Sequence, residues 1–160
     1  MLVDYHTCDL ITDLLSAGHS SRLIQHLIRR DHLFTSIDAY IQGSMDAGLL
    51  FVIGRVADGI TLEEAEASVW KELDALKRIK VSHEELSKVR NRSESERTFN
   101  NMNYLNRAIG MAQMELIGQD SELHEELKHY CSVTEDDILR ASNEIFLKRN
   151  CSVLYYQKEN

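Results

Sequence analysis

Apolar residues recur at helical spacing from residue 4 to residue 16, with Leu10, Ile11, Leu14 and Leu15 on one face. The pattern stops at Ala17-Gly18, as a helix C-terminus commonly does. Ser20-Ser21-Arg22-Leu23 restarts a helical pattern over residues 20–31. After the basic pair Arg29-Arg30 the period changes from helical to alternating. Ile37, Ala39 and Ile41 share one face of a strand over Ser36–Gln42, and Asp38, Tyr40 and Gln42 share the other. Leu49–Val56 is more continuously apolar, which predicts the more central of the two strands. Turn formers crowd the stretch from Gly43 to Gly48 between them, so the pair is expected to form a hairpin.

Three capping signals start helices further along. Thr61-Leu62-Glu63-Glu64 and Ser82-His83-Glu84-Glu85 have the form of capping boxes, and Thr134-Glu135-Asp136-Asp137 sets an acidic first turn behind a threonine cap. The first helix carries Ala65, Val69, Leu73 and Leu76 and ends near Arg78. The second carries Leu86 and Val89, then turns polar from Arg90 to Asn103. An apolar stripe resumes at Leu105, Ala108, Ile109, Ala112 and Leu116 and runs to Gly118, which predicts a bend or break near Asn100-Asn101. The third uses Ile138, Leu139, Ala141, Ile145 and Phe146, and Cys151–Tyr156 has the β propensity of a final strand.

With no proline, no Gly/Ser-rich linker and no internal repeat, residues 1–160 are expected to form a single domain. A chain of this length removes roughly 70% of its unfolded surface from water. Its hydrophobic content of 43% is ordinary, and no stretch approaches the roughly 18 apolar residues of a membrane span. Met1-Leu2-Val3 leads into Asp4 without a leader pattern, so no export signal is expected in this segment. A net charge of −8 opposes binding to nucleic acid and to anionic membranes. The basic residues between Lys77 and Arg97 interleave with Glu84, Glu85, Glu94 and Glu96, as a solvated helix face does. Cys8, Cys131 and Cys151 are odd in number and widely spaced, which argues against a disulfide framework. They are expected to be reduced, buried or half-buried thiols, favouring a cytoplasmic compartment.

The order and spacing of these motifs resemble the second, non-zinc domain in a half of the pitrilysin/insulinase family of zinc metallopeptidases. A small-residue turn followed by S-S-R-L is frequent there, and Ala17-Gly18 with Ser20-Ser21-Arg22-Leu23 matches it. Gly59–Ala65 with Glu72-Leu73, followed by Val81-Ser82-His83-Glu84-Glu85-Leu86, looks like the family's paired helices. Arg107-Ala108 through Glu115-Leu116-Ile117-Gly118 looks like the end of its long helix, and Val133–Ile138 like its last one. The fold implied is α+β, with a mixed, largely antiparallel sheet packed on one face by helices. Two such domains stand in each half of a clam-shaped chamber. Family domains normally have a strand before the first helix, so this chain is expected to be a fragment or shortened variant of a longer peptidase chain. The absent strand would leave a sheet edge exposed and could favour a homodimer.

No catalytic or metal-binding residue is expected in this segment. The family holds zinc through H-x-x-E-H in a different domain, and that motif does not occur here. His83-Glu84-Glu85-Leu86-Ser87 and His124-Glu125-Glu126-Leu127-Lys128 begin as H-E-x-x-H would, but Ser87 and Lys128 occupy the second ligand position. His124 and His129 diverge by about 140° around a helix. His6, His19, His26 and His32 gather around the first two helices as packing or surface residues, and no nucleophile has a locally assigned base. The resemblance also implies an arginine and a tyrosine that hold substrate against the zinc half, seven positions apart. In this chain those positions fall on Ile28 and Thr35, so the pair does not carry over, and Arg29, Arg30 and Tyr40 are the nearby candidates for binding peptide. The implied role is architectural support of peptide hydrolysis, with zinc and catalysis supplied by a zinc-bearing domain of the same or a partner chain. A scaffold subunit of an assembly and an unrelated helical binding module are the alternatives.

Overall fold

A computed structural model of the chain describes residues 5–43, 48–116 and 123–157. The readings at Met1–Asp4, at the tip of the 43–48 turn, at Gly118 and for the side chain of His124 lie outside the described residues. The architecture is α+β. Helix α1 (Tyr5–Ser16) leads through a π-helical segment (Ile24–Arg30) to strands β1 (Phe34–Gln42) and β2 (Leu49–Val56). Helices α2 (Leu62–Arg78), α3 (His83–Met102), α4 (Tyr104–Leu116), α5 (Leu123–Ser132) and α6 (Glu135–Ile145) follow. None of the described helices is long and apolar enough to cross a membrane.

The predicted stripe makes α1 the centre of the molecule. Leu10, Ile11, Leu14 and Leu15 are buried completely or nearly so, and the helix packs on β1, α3, α5 and α6. Each such side chain contributes about 1.5–3 kcal/mol over its exposed state. Around it the core takes Leu23 and Leu27, Phe34 and Ile37 of β1, Leu73 and Leu76 of α2, Leu86 and Val89 of α3, and Ile138 of α6.

All three helices are capped where the sequence places them, although at Thr61 and Ser82 only the cap side chain's half of the expected box is described. Thr61 Oγ1 accepts from the Glu64 N–H at 3.2 Å, and Ser82 Oγ from the Glu85 N–H at 3.1 Å. Thr134 closes a reciprocal box. Its Oγ1 accepts from the Asp137 N–H, and its own N–H donates to Asp137 Oδ2 at 2.9 Å. The hairpin is antiparallel, pairing Ala39 with Val52 and Tyr40 with Phe51, and its register is irregular between Phe34 and Ser36.

Several local expectations are corrected. The second helix is π-helical over Ile24–Arg30, with the Asp31 N–H bonded to the His26 carbonyl. It ends on His32 in the left-handed region (φ 53°), while the Leu33 N–H reaches the Leu27 carbonyl. β2 is the less covered strand: Phe34, Ile37 and Ala39 of β1 are buried, whereas Leu49 and Ile53 are 64% and 56% exposed. The break after α3 falls at Asn103, whose side chain accepts from the Leu105 N–H at 2.9 Å, because Asn competes for main-chain donors at a helix start. The stripe it initiates is not core: Leu105, Ile109 and Leu116 lie exposed on α4. Residues 151–157 form no strand. They are exposed, with the Tyr155 hydroxyl donating to Glu66 on α2, because β propensity alone does not supply a pairing partner. Cys8 is half-buried as expected, but Cys131 and Cys151 are exposed; none of the three is in a disulfide.

Candidate functional site

The signature segment after α1 is held by internal bonds. Gly18 adopts φ 81°, and the Ser21 hydroxyl donates back to its carbonyl at 2.8 Å, reversing the chain. Arg22 then extends to α3, where its Nε and Nη2 donate to the two carboxylate oxygens of Glu85 at 2.7 and 2.8 Å. This two-point pair holds the Glu85 carboxyl below the usual carboxylate range. Leu23 and Leu86, the next residue on each side, are both fully buried. The S-S-R-L and E-E-L motifs are therefore one joint between the π-helical segment and α3. His26 is drawn into a second joint, its Nδ1 2.7 Å from Oε2 of the buried Glu72 on α2.

A charged hub ties α1 to α3 and α5. Asp9 Oδ2 accepts from the Tyr130 hydroxyl at 2.7 Å and lies 3.4 Å from an Arg97 nitrogen. The Arg97 guanidinium sits 4.1 Å from the centre of the Tyr130 ring, and His6 stacks on His129 at 5.1 Å. Burial, and then the charge of Asp9, push the Tyr130 hydroxyl well above its ordinary pKa. One turn along α1, Asp13 is raised to about 6, first by burial and then by Asp9 and Glu96, against the opposing pull of Arg92 and Arg97.

The remaining candidates lie on the hairpin and before it. Tyr40 stands on the sheet face away from the core, its ring stacked on Phe51 at 5.3 Å with planes 20° apart. Leu49 and Ile53 extend this exposed surface along β2. Arg29 is exposed and makes no ion pair among the described residues. Arg30 is bound to its neighbour Asp31, Nε to Oδ1 at 2.7 Å, which holds the aspartate below its usual range. The arginines precede β1, whereas Tyr40 lies roughly 20 Å along the strand from Phe34. No described contact joins the three. Sequence reasoning did not find Phe51, nor the pairing of Glu85 with Arg22. The hairpin register, once set, would place Phe51 against Tyr40, but nothing local links Arg22 to a residue 63 positions away.

Elsewhere, an open groove of about 630 Å³ runs beside α2, where Trp70 donates to Glu66 at 2.9 Å and Lys148 lies 5.7 Å from the indole ring. His83 Nδ1 is 3.1 Å from Glu135 Oε1, and Ser87 Oγ is 3.4 Å from His83 Nε2. Among the described residues no three His, Cys, Asp or Glu side chains are grouped to hold a metal ion.

A family model described as the peptidase M16 inactive domain matches residues 2–93. No curated protein matches the sequence. Among solved structures, the fold resembles the inactive peptidase domain of a protein assigned as a zinc protease from Bordetella parapertussis. The TM-score is 0.85 at 17% identity, over 99% of this chain and 86% of that one. A protease from Helicobacter pylori aligns with a TM-score of 0.78 at 21% identity, over 87% of this chain and 34% of that one. A chain of Complex III2 from Candida albicans gives 0.76 at 14% identity, over 89% and 36%. The chain thus spans about a third of the Helicobacter and Candida chains.

Proposed function

Since the chain belongs to the peptidase M16 inactive-domain family, the non-zinc type of domain in pitrilysin/insulinase peptidases, we propose that it walls a peptide-holding chamber. On this reading it supports peptide hydrolysis by a zinc-bearing domain carried in the same chain or on a partner. The observation that carries the proposal is the stack of exposed Tyr40 on half-buried Phe51, flanked by the exposed Leu49 and Ile53, an apolar surface the domain's own core does not use. An extended peptide crossing such a face gains side-chain contact there and main-chain hydrogen bonds at a strand edge, with wide sequence tolerance. Tyr40 is the contact residue. Arg29, and Arg30 beside its aspartate, supply positive charge before β1 for an acidic peptide residue. Zinc, with the water it activates, belongs to the other domain.

The test is titration with a fluorescently labelled extended apolar peptide, following anisotropy and product release together. Saturable binding is expected, weakened about fivefold by Tyr40→Ala or Phe51→Ala, with no cleavage before or after zinc is added. Cleavage by this chain on zinc addition alone would overturn the proposal. A second reading, a non-catalytic scaffold subunit, is favoured by the fold shared with the Candida Complex III2 chain. It predicts stable capture of a partner that carries no zinc, and no peptide binding.

A further inference from the structure

Packing on the core side decides which residues of β2 face outward. Leu50, Val52 and Val56 lie against the core, and Gly54 makes room there for the Phe34 ring, whose Cε1 would stand 2.6 Å from a β-carbon at that position. By alternation Leu49, Phe51, Ile53 and Arg55 take the opposite face. The register sets them in tiers beside β1: Leu49 with Gln42, Phe51 with Tyr40, Ile53 with Asp38 and Arg55 with Ser36. At the last tier β1 carries one residue more, Thr35, whose hydroxyl donates to the Arg55 carbonyl at 3.1 Å. Bulges of this kind re-aim side chains at the rim of a sheet. The two charges on this face stand differently. The Asp38 carboxylate is engaged, accepting from the Ser16 hydroxyl at 2.8 Å and from the Ala39 N–H at 3.0 Å. Arg55 is exposed and makes no ion pair among the described residues. Of the other arginines near this end of the hairpin, Arg30 is bound to Asp31 and Arg29 lies outside the strands.

We propose that Arg55 is the specificity-determining residue of this face, an inference that rests on reading the face as a peptide surface. The occupant is an extended peptide carrying an acidic residue two positions from one apolar side chain and four from another. Strand geometry supplies the spacing: along β2, Ile53 lies roughly 7 Å from Arg55 and Phe51 roughly 14 Å, the repeats at which alternate side chains of an extended peptide recur. The peptide carboxylate meets the Arg55 guanidinium, and the apolar side chains cover Ile53 and the Tyr40–Phe51 stack. The chain's net charge of −8 favours basic peptides at long range, so a preference for acid has to come from a local cation.

Anisotropy titration of the full chain tests this with two labelled peptides, alike except for aspartate or lysine at the position set against Arg55. The aspartate peptide should bind about threefold to fivefold more tightly, the size of an exposed ion pair, and the preference should shrink with added salt. Arg55→Ala should abolish the preference and Arg55→Glu invert it, both with unchanged circular dichroism because the side chain lies outside the core. Moving the aspartate by one position, which turns it to the other side of the peptide, should also abolish the preference. Arg29→Ala should leave it in place. Binding that needs Tyr40 and Phe51 but ignores Arg55→Glu would overturn the inference and spare the peptide surface. A preference that survives Arg55→Ala and is lost with Arg29→Ala would overturn it as well. Saturable binding of neither peptide would overturn the peptide surface itself, and the role of Arg55 with it.

Discussion

At the scale of single residues, Asp13 has the clearest titration consequence. Its carboxyl ionises at about 6 in the folded chain against 3.8 for an ordinary aspartate, so folding favours its protonated form. The stability this contributes is complete below about pH 3.8 and is lost as pH rises through 6; above that, an ionised Asp13 sits beside Asp9 and Glu96 as a standing repulsion. Asp13→Asn is therefore expected to raise the thermal midpoint at pH 7–8 and to change it little near pH 4. Equal gains at both pH values would show that burial and charge at Asp13 are not the cause. The same α1 residue is invisible to periodicity, because Asp9 and Asp13 fall on the polar side of a helix whose apolar side reads clearly. Their partners Arg97 and Tyr130 come from α3 and α5, far along the sequence.

Among elements, those with a local cause were legible in the sequence. Caps at Thr61, Ser82 and Thr134 follow from side chains bonding main-chain donors within one turn, and the α1 face follows from helical spacing. Thr134→Ala should remove the reciprocal box on α6 and lower stability by about 0.5–2 kcal/mol in chemical denaturation. Thr134→Ser, which keeps the oxygen, should recover most of it. Elements defined by what lies across from them were less legible. β2 was read as central because both its faces are apolar, but hydrophobicity reports what a strand could be covered by, and in the single chain nothing described covers its outer side. Cys151–Tyr156 failed as a strand for the same reason, and α4 kept its stripe without gaining core. Tyr40 is a candidate because it lies near the positions where the resemblance implies a substrate-holding pair; its stacking partner needs the hairpin register.

For the molecule as a whole, the return of α6 to the start of the chain matters most. α6 packs on both α1 and α2, so the last part of the described chain closes the core opened by the first. Between these parts stands α4, joined to α3 through the break at Asn103, with Phe99 and Tyr104 exposed at 70% and 87% on either side. A protease selective for aromatic residues therefore meets its preferred side chains at a place where few tertiary contacts resist local opening. A cut there severs the covalent path but leaves the packing of α6 on α1 and α2 untouched. Two polypeptides, residues 1–102 and 105–160, should consequently find each other when co-expressed and reconstitute a fold with the far-ultraviolet spectrum of the intact chain. Failure of the pieces to co-purify would mean that closure by α6 depends on continuity through Asn103. Success would make this break a natural seam at which the domain can be split into complementing halves.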